Sequence, residues 1–272
     1  MTAGSRAAEL RARADSFAWF HTIDLGDGVV THGVSETDKT LRLDQLPNFK
    51  GKTVLDIGAW DGYYSFLAER QGATRVVALD HYVWGVDLAA RDLYWNDCRE
   101  RGVLPDQSRD VTDFWQPELP GRRGFDLARE AFKSGVEPFV ADFTTVDIDT
   151  VGVFDITLYL GVLYHMKDPL GCLERVRAVT REVAVIETAA FWIPNAAAVP
   201  LMRFLAGSEL NRDFGNWYMP TVEALQGLAL AAGFAKAEVV QGPPQAKERA
   251  VRSLRRPTYN TCDYRAIIHA YA

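Results

Sequence analysis

Val54-Leu55-Asp56-Ile57-Gly58-Ala59-Trp60-Asp61-Gly62-Tyr63-Tyr64-Ser65 decides the fold. The apolar run that ends at Ile57 reads as a buried strand over 53–57. Gly58 and Gly62 then punctuate a turn, and Tyr63, Phe66 and Leu67 share one face of a helix expected over 62–71. Strand, glycine turn and helix make the first half of a parallel crossover unit. The alternation continues outward with strands expected at 75–79, 136–140, 154–160 and 182–187 and helices at 169–179 and 221–232. Two final strands are expected at 236–240 and 263–271. Such a pattern predicts an α/β protein with a largely parallel sheet.

Two stretches stand outside this repeat. Residues 1–50 read as an N-terminal cap segment, helical over 7–20 and then turning through Asp24-Leu25-Gly26-Asp27-Gly28; residues 51–272 form the domain proper. Residues 85–135 are an insertion about twice as long as a simple crossover requires, which predicts a lid or a substrate-binding element. It carries or adjoins Trp84, Tyr94, Trp95, Phe114, Trp115 and Phe125, aromatic rings that either pack as a satellite core or touch a substrate.

The 272 residues are 48% hydrophobic and 24% charged, which excludes disordered, collagenous and coiled-coil chains. No apolar run is long enough to cross a membrane, and the N-terminus lacks a signal pattern, so a cytoplasmic protein without membrane partners is expected. Thirty basic against thirty-six acidic residues give a net charge of −6, a field that opposes binding to a polyanion. The densest basic stretch, Arg249, Arg252, Arg255 and Arg256, reads as a solvated face. Cys98, Cys172 and Cys262 match neither metal nor redox spacing and are expected to be small buried hydrophobes, with no metal site.

In an open parallel sheet, ligands bind beyond the carboxyl ends of the strands, where the Gly58–Gly62 turn lies. A dinucleotide fingerprint would need glycines at positions 58, 60 and 63, but Trp60 and Tyr63 stand at the last two and obstruct a pyrophosphate. The carboxylate of Asp61 would repel one, so a cationic ligand without phosphates fits better. Asp80 closes the second strand 24 residues after Asp56, where an acidic residue accepts hydrogen bonds from ribose hydroxyls. Asp142-Phe143 closes the third, offering an acceptor for an adenine amino group and a ring to pack on the base.

With LDIGAWDGYYS, Asp80, Asp142-Phe143 and Leu160-Gly161-Val162-Leu163-Tyr164-His165, the chain resembles the class I S-adenosylmethionine-dependent methyltransferases. Trp19-Phe20-His21-Thr22-Ile23-Asp24-Leu25-Gly26 and GVLYHMKDPL resemble the branch containing the wobble-uridine tRNA methyl- and carboxymethyl-transferases and their small-molecule relatives. The resemblance spans about residues 17–272. It implies a Rossmann-like, seven-stranded, mostly parallel sheet with an antiparallel last strand and helices on both faces, and S-adenosyl-L-methionine as cofactor. It further implies that Asp56, Gly58, Trp60, Asp61 and Gly62 surround the methionine part, that Asp80 binds ribose, and that Asp142 and Phe143 hold adenine. His81 would pack on the adenine face, while Leu160, Gly161 and Tyr164 line the cofactor's inner side.

The long insertion departs from the tRNA-modifying members. No Lys or Arg occurs from Trp19 to Thr37 to meet a carboxylated cofactor, although Arg265 is available on the last strand; ordinary S-adenosylmethionine is expected. Histidine suits a general base for a hydroxyl acceptor, and the candidates are His165, after the fourth strand, and His21, in the N-terminal segment. Glu187-Thr188, Asn211, Asp213, Asn216, Trp217 and Tyr218 are candidates for an acceptor pocket or a packed connection. The expected reaction is in-line methyl transfer to a small-molecule acceptor such as a secondary metabolite. The alternatives are a tRNA wobble-uridine methyl- or carboxymethyl-transferase, which the net charge disfavours, and a non-catalytic cofactor-binding module. The oligomeric state is left open.

Overall fold

The computed structural model describes residues 3–35, 41–194, 198–246, 249 and 261–272. Arg252, Arg255 and Arg256 of the basic stretch lie outside these. Two compact units make up the chain, 1–145 and 146–272.

The first unit begins with helix α1 (Ala3–Ala14) and strands β1 (Trp19–His21) and β2 (Gly33–Ser35), which pair in parallel. The helix expected over 7–20 therefore stops six residues early. The Trp19 indole N–H donates to the carbonyl of Ala14 at 2.9 Å, satisfying a helix-end acceptor, and the bulky run Trp19–His21 is extended instead. Strand β3 (Thr53–Ile57), helix α2 (Tyr63–Arg70) and strand β4 (Arg75–Asp80) follow the sequence expectation closely. Strand β5 (Glu137–Val140) pairs parallel with β4, as β4 does with β3. Between β4 and β5 run a helical turn (Tyr82–Gly85), helix α3 (Leu88–Glu100) and helix α4 (Arg123–Phe132).

In and beside the insertion, Trp84, Trp95, Phe114 and Phe125 are buried, so these four rings serve packing. Phe125 stacks on Phe66 of α2 at 5.3 Å, which ties α4 to the domain.

The second unit holds β6 (Phe154–Leu160), helix α5 (Pro169–Ala178), β7 (Thr180–Trp192), a short hairpin of β8 (Met202–Phe204) and β9 (Tyr218–Pro220), and helix α6 (Val222–Ala231). It ends with β10 (Lys236–Gln241) and β11 (Cys262–Tyr271). Strand β7 runs to thirteen residues rather than the expected six, because β11 pairs with it from Val183 to Trp192 and satisfies its backbone throughout. Strands β6 and β7 are parallel; β11 is antiparallel to both β7 and β10. The chain thus has the expected α/β class, seven mostly parallel strands with an antiparallel last one. Cys98, Cys172 and Cys262 are buried. Among the described residues no helix is long and apolar enough to cross a membrane.

Candidate functional site

The turn after β3 is built by backbone bonds that only a glycine-punctuated sequence can make. The N–H groups of Gly58 and Ala59 both donate to the carbonyl of Leu79, at 2.8 and 3.3 Å, and Gly62 N–H closes the turn on Ala59 at 2.7 Å. Gly62 has φ +81°, and a side chain there would sit 2.6 Å from Phe66 and 2.7 Å from Phe125, so glycine is required on both counts. Trp60 also adopts a left-handed conformation, φ +50°, unusual for a bulky residue. Three contacts hold it there. Its N–H donates to Asp80 Oδ2 at 2.9 Å, its carbonyl accepts from the Trp84 indole at 2.7 Å, and its ring stacks on Phe20 at 4.0 Å.

Asp80 ends β4 beneath this turn and also accepts from the N–H of His81 at 2.7 Å. Burial pushes its carboxyl up to about 6, against the lowering effect of the N–H groups it accepts from. Asp56 is likewise raised to about 6 by burial, partly offset by the Ser65 hydroxyl that donates to it at 2.6 Å. Asp61 is tied to the N-terminal strand. Its Oδ2 accepts the N–H groups of Phe20 at 2.9 Å and His21 at 2.8 Å, and its Oδ1 pairs with His21 Nδ1. The first unit therefore brings Asp56, Gly58, Trp60, Asp61, Gly62 and Asp80 together, with His21 attached through Asp61. His81 packs on Trp115, ring centroids 4.4 Å apart. Asp142 caps its own turn by accepting from the N–H and hydroxyl of Thr144, and Phe143 beside it is buried.

Trp60 and Asp61 also face a cavity of about 160 Å³, walled by Phe17 and Ala18 of the N-terminal segment and by Val86, Asp87, Leu88, Pro120, Gly121 and Gly124 of the insertion. Its wall contains two carboxylates and no lysine or arginine.

In the second unit, β6 ends at Leu160 and the chain turns at Gly161, φ +71°, whose N–H donates to the Glu187 carbonyl at 3.0 Å. The side chain of Glu187 pairs with Arg265. Ile267 stands opposite Glu187 in the β7–β11 register, so Arg265, two residues away, shares its face. Burial disfavours the Arg265 charge, but Glu187 and the Tyr164 ring, 4.9 Å below the guanidinium, more than offset this and hold the charge firmly. The cation that the sequence left available for a carboxylated cofactor is thus already neutralised.

Tyr164 is fixed through its carbonyl, which accepts from Trp217 N–H at 2.7 Å. His165 Nδ1 lies 2.9 Å from the carbonyl of Gly215. A carbonyl only accepts, so this contact places the proton on Nδ1 and leaves Nε2 as the basic nitrogen of the neutral ring. The connection that positions His165 is itself braced. Asn216 donates to the carbonyls of Leu210 and Asp213, and Asp213 accepts from Gly215 N–H. Of the acceptor-pocket candidates, Asp213 and Asn216 therefore brace this loop. The Glu187–Arg265 and His21–Asp61 pairings were not foreseen; two opposite charges on neighbouring strands were the available signal for the first, and none marked the second.

The family model of the methyltransferase domain matches residues 35–239. The chain belongs to this family. It carries a methyltransferase domain. Among curated proteins it is similar to the tRNA U34 carboxymethyltransferase of Pseudomonas aeruginosa, 27% identical over 207 residues that cover 73% of this chain and 50% of that one. The enzyme of the same name from Campylobacter lari is 20% identical, with 72% and 53% covered. The chain spans about half the length of these relatives. Among solved structures, the N-terminal domain of EvdMO1 with SAH bound superimposes with a TM-score of 0.61 at 18% identity, covering 98% of this chain and 97% of that domain. The same domain with SAH and D-fucose gives 0.60.

Proposed function

We propose that this chain is an S-adenosyl-L-methionine-dependent methyltransferase that acts on a small-molecule acceptor. The observation that carries the acceptor class is electrostatic. The cavity beside the Gly58–Gly62 turn contains carboxylates and no basic side chain, Glu187 neutralises Arg265, and the net charge is −6, all of which oppose a phosphate polymer. The N-terminal segment and the insertion both wall this cavity, which supports their reading as a cap and an acceptor-binding element.

The residues present fit the cofactor. The turn presents backbone at Gly58, φ +78°, and Asp80 offers a buried carboxylate at the strand end for ribose hydroxyls. Asp56 would lend negative potential behind the turn, Trp60 and Asp61 would shape it, and Asp142, Phe143 and His81 would hold the adenine. Leu160, Gly161 and Tyr164 would line the inner side. S-adenosyl-L-methionine supplies an electrophilic methyl carried on a sulfonium. The protein's part is to orient the acceptor in line with it, exclude water, and, for a hydroxyl acceptor, take the proton on His165 Nε2, whose tautomer the Gly215 carbonyl sets.

Two measurements test this. S-adenosylhomocysteine should raise the unfolding temperature where NAD does not. Methyl incorporation from labelled cofactor should then appear with small hydroxyl, amine or carbon acceptors and not with total tRNA. Salt-sensitive retention of tRNA together with its methylation would overturn the acceptor class. Cofactor binding without turnover on any acceptor would instead favour a binding module.

A further inference from the structure

The strand Trp19–His21 spends each of its three residues on the cofactor turn and its supports. Trp19 packs against Gly124, where an added Cβ would lie 3.3 Å from the indole. Phe20 lies flat on Trp60, ring planes within 11°. His21 gives its own N–H and its Nδ1 to Asp61, which also takes the N–H of Phe20. Asp61 is only 2% exposed, and a carboxylate so buried needs every one of these donors. The ion pair between helix α1 and helix α4 is weaker. Arg13 and Glu130 pair at 2.7 Å on the open surface, where water screens them.

We propose that Asp61 is a positioning residue whose carboxylate latches strand β1 across the Gly58–Gly62 turn and thereby holds the left-handed Trp60 backbone in the shape that receives the cofactor. Trp60 sits between Asp61 and the rest of the turn, so the backbone that Asp61 fixes and the ring that Phe20 covers belong to one rigid piece. Docking of the strand and binding at the turn then favour each other, and by linkage each must strengthen the other equally. His21 acts here through Asp61, as a donor. This rests on the proposal that the turn holds the cofactor.

The test uses the full chain, with S-adenosylhomocysteine as probe. Binding is followed by calorimetry and the amides of Phe20 and His21 by hydrogen exchange. Without ligand, Asp61→Ala should speed exchange at these two amides about tenfold or more, since each loses its acceptor. With ligand, wild-type exchange at both should slow severalfold. His21→Ala should weaken binding about tenfold. His21→Asn, whose amide nitrogen stands where Nδ1 stood, should restore binding to within about threefold, and His21→Gln should not. Wild-type binding that leaves exchange at Phe20 and His21 unchanged overturns the coupling, and His21→Asn binding as weakly as His21→Ala overturns the latch. If Asp61→Ala does not fold, the wild-type exchange and the His21 series still decide. A wild type that ignores S-adenosylhomocysteine overturns the cofactor site instead, while the ligand-free exchange comparison still reads the latch.

Discussion

Asp80 should make cofactor binding depend on pH with a sign and size that follow from its burial. Its carboxyl stands at about 6 in the ligand-free protein, because burial outweighs the N–H groups of Trp60, His81 and Val83. Hydroxyls of a bound ribose donating to it would stabilise the ionised form, so binding must displace the proton wherever one is held. At pH 5 the group is mostly protonated, and ionising it costs about 1.4 kcal/mol, or about tenfold in affinity. At pH 8 the cost vanishes. S-adenosylhomocysteine should therefore bind about ten times more weakly at pH 5 than at pH 8, and calorimetry in buffers of different ionisation enthalpy should register proton release at the acid end. Asp80→Asn keeps an acceptor for one N–H but cannot titrate, so its affinity should be lower at pH 8 and markedly flatter with pH. A wild-type affinity constant within twofold from pH 5 to 8, or an equal slope in Asp80→Asn, would refute the assignment.

Other perturbations bear on stability. Asp56 is raised to about 6, so the native state binds more protons than the unfolded one; its favourable contribution is complete below the ordinary carboxyl value and is lost as pH rises through about 6. Asp56→Asn, which can still accept from Ser65, should stabilise the protein at pH 8 by up to about 3 kcal/mol and flatten the profile in urea titrations. Gly62→Ala forces a Cβ to within 2.6 Å of Phe66 at a left-handed φ, and should cost about 2–4 kcal/mol in the same assay. Glu187→Ala leaves Arg265 with its partner removed and should cost about 3 kcal/mol, read as a lowered unfolding temperature; a change below about 0.5 kcal/mol would show the pair to be idle.

Much of the second unit was legible because burial on both faces writes strands such as Phe154–Leu160 as continuous apolar runs, and helix ends are punctuated by residues such as Asp168 and Thr221, whose side chains cap them. The N-terminal segment was not. Residues 15–20 carry no helix breaker, so periodicity alone extended α1; the Ser16 hydroxyl on the Arg13 carbonyl and the indole of Trp19 on that of Ala14 end it. Asp61 was read as a repellent for phosphates. The fold commits its carboxylate to a strand 40 residues earlier, a pairing that local spacing cannot show.

The sequence by itself determined the α/β alternation, the glycine turn after β3 and the carboxylates at strand ends, because these follow from backbone conformation and from which residues water rejects. Only the tertiary structure decided where each charge is spent: Asp61 on the N-terminal strand, Glu187 on Arg265, and the Gly215 carbonyl on the proton of His165. Those choices depend on desolvation, which raises the stakes of every unpaired group and is set by neighbours that the chain brings together only when folded.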